Sequence, residues 1–175
     1  MIYRAEVRLA LRLGFQPPVV NSRHIEYGFL FRELDLPARA RVLDVGFVES
    51  ALPFVLAGLG YDVHGVDIRR FPIEWPGFKA HQMDIRRTPF PDRFFDRIMA
   101  ISTLEHIGIS GCYGSNEDSE GDRRAVKEMT RILRDDGRIV VTVPYGKAAV
   151  VRRLGRIYDD TRLGDLLQGL KVLKK

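Results

Sequence analysis

The sequence predicts an α/β protein built on a doubly wound, mostly parallel sheet of five or six strands. Three observations carry that reading. Between residues 41 and 142, short β-branched apolar runs alternate with amphipathic stretches, the order that strand–helix–strand crossovers produce. Three of those runs end in a glycine or an acid, as buried parallel strands do where they reach a ligand-binding edge. The 175 residues are 45% hydrophobic and 29% charged, enough to bury one core and too few for a second full domain.

The expected division is 1–40 as helices packed on the core, 41–147 as the core itself, and 148–175 as a short basic segment of the same domain. In the first part Ile2, Ala5, Leu9 and Leu13 form one stripe and Arg4, Arg8 and Arg12 another. A helix docked on its own sheet fits this pattern better than a membrane-surface helix, because the basic face is short. Asn21 or Ser22 can cap a second helix through Leu34, followed by a break at Pro37.

Arg41 to Gly46 reads as the first strand, and Ser50 to Leu59 as a helix with Leu52, Val55, Leu56 and Leu59 on one face. Tyr61 to Asp67 and Phe78 to Asp84 follow as strands, with Pro72 and Pro76 leaving little room for a helix between them. Phe94 to Ser102 is a fourth strand. Gly108 to Gly121, with four glycines, predicts a mobile surface loop. A helix to Leu133, a turn at Asp135-Asp136-Gly137 and a fifth strand from Ile139 to Val143 complete the pattern. Beyond it lie one helix (Asp159 to Leu167) and a short apolar piece (Leu170 to Leu173), so a final antiparallel strand is missing. The exposed edge beside strand five would then need a cover, either a second subunit of a homodimer or the tail.

Composition narrows the function. A lone cysteine, Cys112, excludes an internal disulfide framework and any multi-cysteine metal site, and His24, His64, His81 and His106 lack ligand spacing. No bound metal is expected. No apolar run approaches the length of a membrane span, and the first residues lack a signal peptide's unbroken apolar stretch, so the expected setting is the cytoplasm. Net charge is +3 over residues 1–41, −3 over 42–146 and +5 over 147–175. The mildly acidic middle, which holds the polar strand ends, disfavours a nucleic-acid substrate.

Ligands of doubly wound sheets sit at the carboxyl ends of the strands. Asp44, Gly46, Asp67 and Asp84 fall there, and Asp67 follows Gly46 by 21 residues. That spacing suits a carboxylate on the second strand gripping a ribose diol while the glycine admits the ligand to the first loop.

At these residues the chain resembles the class I S-adenosylmethionine-dependent methyltransferases, a Rossmann-like family. The resemblance spans roughly 22–147 and rests on VLDVG (42–46), GYDVHGVDIR (60–69), MDI (83–85), FDRIMAISTLEHIG (95–108) and LRDDGRIVVTVP (133–144). It implies S-adenosyl-L-methionine as cofactor. Asp44, Gly46 and the backbone of Phe47, Val48 and Glu49 would pass its methionine moiety, and Asp67 would hold the ribose. Ile68 would lie against the adenine, with Asp84 near the adenine amino group and Ile85 packing nearby. Ile101 to His106, Ser102 included, would form the floor under the sulfonium and the entrance for the acceptor. The LEHI segment is most similar to the small-molecule branch of the family.

Two features depart from the family pattern. The D-x-G-x-G-x-G loop is reduced to Asp44-Val45-Gly46-Phe47-Val48-Glu49-Ser50, and Val48 disfavours positive φ, so the loop must follow another path. Glu49 there is either a partner for the cofactor's ammonium or a solvated first-turn acid. The short carboxyl end is the second departure. His106 is the candidate base by residue type and Glu105 the second, with Tyr113 and Tyr145 as residues that could face the acceptor. Three readings follow: methyl transfer to oxygen or nitrogen of a small-molecule acceptor, a methyltransferase-like binding protein without turnover, and an NAD-dependent oxidoreductase. The last lacks a glycine-rich phosphate loop.

Overall fold

The computed structural model describes residues 23–114 and 116–173. The expected helix over the first residues lies outside them. The chain divides into two compact units, Met1–Leu34 and Asp35–Lys175. In the first, α1 (Arg23–Arg32) is a single helix in which Tyr27 and Phe31 meet edge to face at 6.4 Å, the pairing that i,i+4 spacing allows.

The second unit is organised by a five-stranded parallel sheet in the order β3-β2-β1-β4-β5. Its strands are β1 (Arg41–Val45), β2 (Asp62–Asp67), β3 (Phe78–Gln82), β4 (Phe95–Ile101) and β5 (Leu133–Thr142). Strand order reverses between β1 and β4, so the ligand crevice of this architecture opens at their carboxyl ends. The apolar runs of β1, β2 and β4 are almost wholly buried, whereas β3 is an exposed edge with only Phe78 buried. That contrast follows from position, since central strands are covered on both faces.

Two crossovers run in opposite directions from the centre. The first carries a one-turn 3₁₀ segment, Phe47–Glu49, and α2 (Leu52–Gly58). The expected helix start at Ser50 shifts: Ser50 instead accepts a hydrogen bond from the Leu52 amide at 3.1 Å, just ahead of the helix. Phe47 turns into the core, its ring lying so close to Gly65 of β2 that a Cβ there would stand 2.6 Å from it. Phe71 and Phe78 flank that ring edge to face, each at 5.1 Å.

The other crossover holds α3 (Gly121–Ile132), whose Ala125, Val126, Met129 and Ile132 are buried against the β4 side of the sheet. The turn expected at 135–137 is absorbed into β5 as an irregularity. Phe95 pairs with Leu133 and Arg97 with Arg138, so the chain bulges out between them before regaining register.

Two expectations for the remaining segments need correction. Residues 108–114 form packed turns rather than an open loop, with Ile109 and Cys112 buried. Past β5, a two-stranded antiparallel hairpin, β6 (Ala149–Val151) and β7 (Gly155–Ile157), stands apart from the main sheet, followed by α4 (Asp160–Leu166). Asp159 caps α4 by accepting from the Arg162 amide at 2.9 Å. Leu170 to Leu173 forms no strand. Among the described residues the main sheet ends at β5, and the tail pairs only beyond its tip, where Tyr158 bonds to Pro144 and Gly146.

Candidate functional site

The loop after β1 reaches the end of β2 because Gly46 adopts a left-handed conformation (φ 77°, ψ 37°). A side chain there would be strained and would also stand 2.6 Å from Thr103. Thr103 in turn donates to the Val45 carbonyl at 3.0 Å, tying the ends of β1 and β4 together at the strand-order reversal. The single retained glycine is thus the one whose position requires it. Beyond it the chain needs no second positive φ, because it winds into the 3₁₀ turn. That turn points the Val48 amide at Asp67, 3.4 Å from Oδ2.

Asp67 closes β2 with its side chain only 4% exposed. Its four acceptor positions are all engaged. The Arg69 amide and Nε donate to Oδ1 at 2.9 and 3.1 Å, while Arg69 Nη2 and the Val48 amide donate to Oδ2 at 3.0 and 3.4 Å. Arg69 also reaches Glu49 at 2.6 Å and lies over the Tyr113 ring at 4.4 Å. These hydrogen bonds to Asp67, opposed by burial and reinforced by Glu49, raise the guanidinium pKa above its already high value. Glu49, 57% exposed, is therefore an ion-pair partner on the rim. Ile68 remains substantially exposed beside them.

A second acid–Ile–Arg loop follows β3. Arg86 grips Asp84 through Nε at 3.1 and 3.0 Å and Nη2 at 2.6 Å, and extends to Asp118 at 2.8 Å. Burial alone would raise the Asp84 pKa, but the Arg86 hydrogen bonds outweigh it and hold the carboxyl below its usual range. Ile85 is buried with the core, so its side chain packs inward rather than beside Asp84. The two loops share one edge of the sheet: β2 and β3 are parallel neighbours, and the Met83 amide donates to the Asp67 carbonyl at 2.9 Å.

After β4, Ser102 takes a positive φ of 47° and its amide donates to Thr142 of β5. A 3₁₀ turn, Leu104–His106, then presents Glu105 and His106. The His106 Nε2 lies 3.8 Å from Glu105 Oε1, and its ring meets Tyr113 edge to face at 5.2 Å. Tyr113 thereby joins the β2 loop to the His106 turn. Burial first, and then the Glu49 carboxylate, keep its phenol protonated by raising its pKa. Tyr145 is exposed and donates to Asp160 at 3.0 Å. Asp44 is buried within β1, one residue short of the strand's end.

Sequence reasoning missed what holds this edge in place. Arg156 of β7 is fully buried, donating to the carbonyls of Ile107, Asp118 and Ser119 and pairing with Asp122 at 3.4 Å. Tyr158, also buried, donates to Asp122 at 2.9 Å. The hairpin consequently sits against the His106 turn, where Gly155 is so close that a Cβ would stand 3.2 Å from His106 Nδ1. Among the described residues no group of three or more His, Cys, Asp or Glu side chains could hold a metal, and no helix is long and apolar enough to cross a membrane. The Cys112 thiol is pushed up by burial, away from the reactive thiolate.

Sheet order, crossovers and polar strand ends define the Rossmann-like fold of S-adenosylmethionine-dependent methyltransferases. A 1,6-didemethyltoxoflavin-N1-methyltransferase from Burkholderia thailandensis, solved with 1,6-didemethyltoxoflavin and S-adenosylhomocysteine, superposes with a TM-score of 0.66 at 18% identity, covering 95% of this chain and 75% of that one. An S-adenosylmethionine-dependent methyltransferase from Methanosarcina mazei gives 0.61 at 18% identity, with 78% and 81% covered. The YcgJ protein from Bacillus subtilis gives 0.57 at 24% identity over 70% of this chain, which spans about half (52%) of that protein's length. No curated protein matches the chain. Residues 83–175 match the family described as "Caenorhabditis protein of unknown function, DUF268", and the chain belongs to it.

Proposed function

We propose that this protein binds S-adenosyl-L-methionine at the carboxyl ends of β1, β2 and β3 and transfers its methyl group to oxygen or nitrogen of a small-molecule acceptor. One observation carries the reading: a buried carboxylate, Asp67, ends β2 directly opposite the left-handed Gly46 turn, with the Val48 amide aimed at it. A ribose diol needs such a pair of acceptor oxygens, and a purine needs an apolar flank such as the exposed Ile68. The residues present fit the cofactor. Asp67 would hold the ribose, Asp84 would lie toward the adenine amino group, and the backbone of Gly46 to Glu49 would border the methionine moiety.

The bound cofactor supplies an electrophilic methyl on a sulfonium. The protein's task is to align the acceptor with it and to take the acceptor's proton. His106 would be the group that takes this proton. Glu105 lies beside its Nε2, and Tyr113 and the β6–β7 hairpin limit how the ring can turn. The lone buried Cys112 suits a reducing, cytoplasmic setting.

A second reading, a binding protein without turnover, draws support from the 3₁₀ path of the β1 loop, which replaces the family's run of glycines. An NAD-dependent oxidoreductase is a poorer match, because Phe47 is buried where a pyrophosphate would need bare backbone. Thermal unfolding with S-adenosylhomocysteine and with NAD tests the assignment. The methyltransferase-fold readings predict a rise in Tm with the first alone, since ligand at 100 times its Kd adds about 2.7 kcal/mol. A rise with NAD alone contradicts them.

A further inference from the structure

We infer that Arg69 is a self-supplied occupant of the Asp67 carboxylate, a latch that a ribose diol must displace before the nucleoside can bind. The inference rests on the reading of Asp67 given above. Arg69 offers Nε–H and Nη2–H as a two-pronged donor, one to each Asp67 oxygen, at 3.1 and 3.0 Å. The two hydroxyls of a ribose present the same kind of paired donors. Because Oδ1 and Oδ2 already accept from the Arg69 and Val48 amides, no acceptor position is left for a diol while the guanidinium stays.

The structure also supplies the place to which the guanidinium can retreat. Arg69 Nη1 already holds Glu49 at 2.6 Å, and the Tyr113 ring lies under its centre at 4.4 Å. On leaving Asp67 it keeps an ionic and an aromatic partner on the rim, so the exchange costs little more than two hydrogen bonds that the ribose replaces. The two backbone amides stay on Asp67 throughout. Affinity for the nucleoside is therefore reduced by the fraction of molecules in which the latch is shut.

Titration calorimetry of the full chain with S-adenosylhomocysteine tests this. The Arg69→Met variant, which removes the prongs and leaves the amides, is expected to bind about five- to thirtyfold more tightly than the natural sequence. Tyr113→Leu, which takes the aromatic partner from the withdrawn guanidinium, should weaken binding about two- to fivefold. If the natural protein binds and Arg69→Met binds equally or more weakly, Arg69 is no latch, while the assignment of Asp67 stands. If neither binds, the assignment of Asp67 falls and the latch with it.

Discussion

The loops after β2 and β3 carry the same tripeptide, Asp67-Ile68-Arg69 and Asp84-Ile85-Arg86, and fold the same way locally. In each, the arginine amide donates to the aspartate two residues back at 2.9 Å, and its guanidinium closes on both carboxylate oxygens. They differ in what lies beyond. Arg69 continues to Glu49, a rim acid 57% exposed to water, whereas Arg86 continues to Asp118, only 11% exposed and also paired with Arg124. The isoleucines diverge in parallel: Ile68 faces outward and Ile85 joins the core. One acid–Ile–Arg unit, the site proposed above, therefore has an arginine whose onward partner is a solvated rim acid. Its twin is a staple between the end of β3 and the segment ahead of α3. A repeated local motif acquires its role from the burial of its next neighbour.

Substitutions can break that comparison. Asp67→Ala should give the largest effect, weakening S-adenosylhomocysteine binding about 30- to 150-fold, or about 2–3 kcal/mol, by calorimetry. Unchanged affinity would place the ribose elsewhere.

The strands beneath the two loops are joined by His64 and His81, whose rings stack with Nδ1 and Nε2 3.0 Å apart amid Phe90, Phe94 and Phe95. Burial first, then the Lys79 charge, depress the His64 pKa from 6.5 to about 4, against the opposing pull of Asp62; Arg41 and His81 also lower it. Burial lowers His81 too. A neutral histidine in the folded state and a protonated one in the unfolded chain mean that its contribution is complete above pH 6.5. It is lost as pH falls toward 4, a change on the order of 2 kcal/mol. Denaturant titrations across that window should show the slope, and His64→Phe should flatten it.

Arg86→Met should lower stability by about 1–2 kcal/mol and open residues 108–120 to proteolysis, because it takes the shared guanidinium from two carboxylates at once. Arg69→Met takes the guanidinium from buried Asp67 but should leave that segment resistant to protease, since its other partner is the solvated Glu49. Equal protease sensitivity in the two would erase the distinction drawn between them.

Much of this is legible in the amino-acid sequence. Apolar runs located β1, β2 and β4 to within a residue or two, the first ending in Gly and the second in Asp, because buried parallel strands tolerate little else. Gly46 and Asp67 stood out by spacing, and the Gly46 amide donates to Val66 while the Val48 amide reaches Asp67. What stayed hidden depends on partners distant in sequence. Arg69 and Arg86 drew no reading from the sequence, although the repeated Asp-Ile-Arg-Arg at 67–70 and 84–87 was a usable signal. Arg156 violates the rule that charged residues stay outside, and only the carbonyls around it and Asp122 explain its burial. The β6 and β7 strands are three residues each, too short for alternation to show. The β5 bulge placed strand pairing on both sides of a sequence that by itself reads as a turn.

A crystal structure with S-adenosylhomocysteine examines the central claim most directly. Both ribose hydroxyls should donate to the Asp67 oxygens, with the Arg69 guanidinium withdrawn onto Glu49 and Tyr113. A nucleoside bound away from Asp67, or bound while the Asp67–Arg69 pair stays closed, would contradict it.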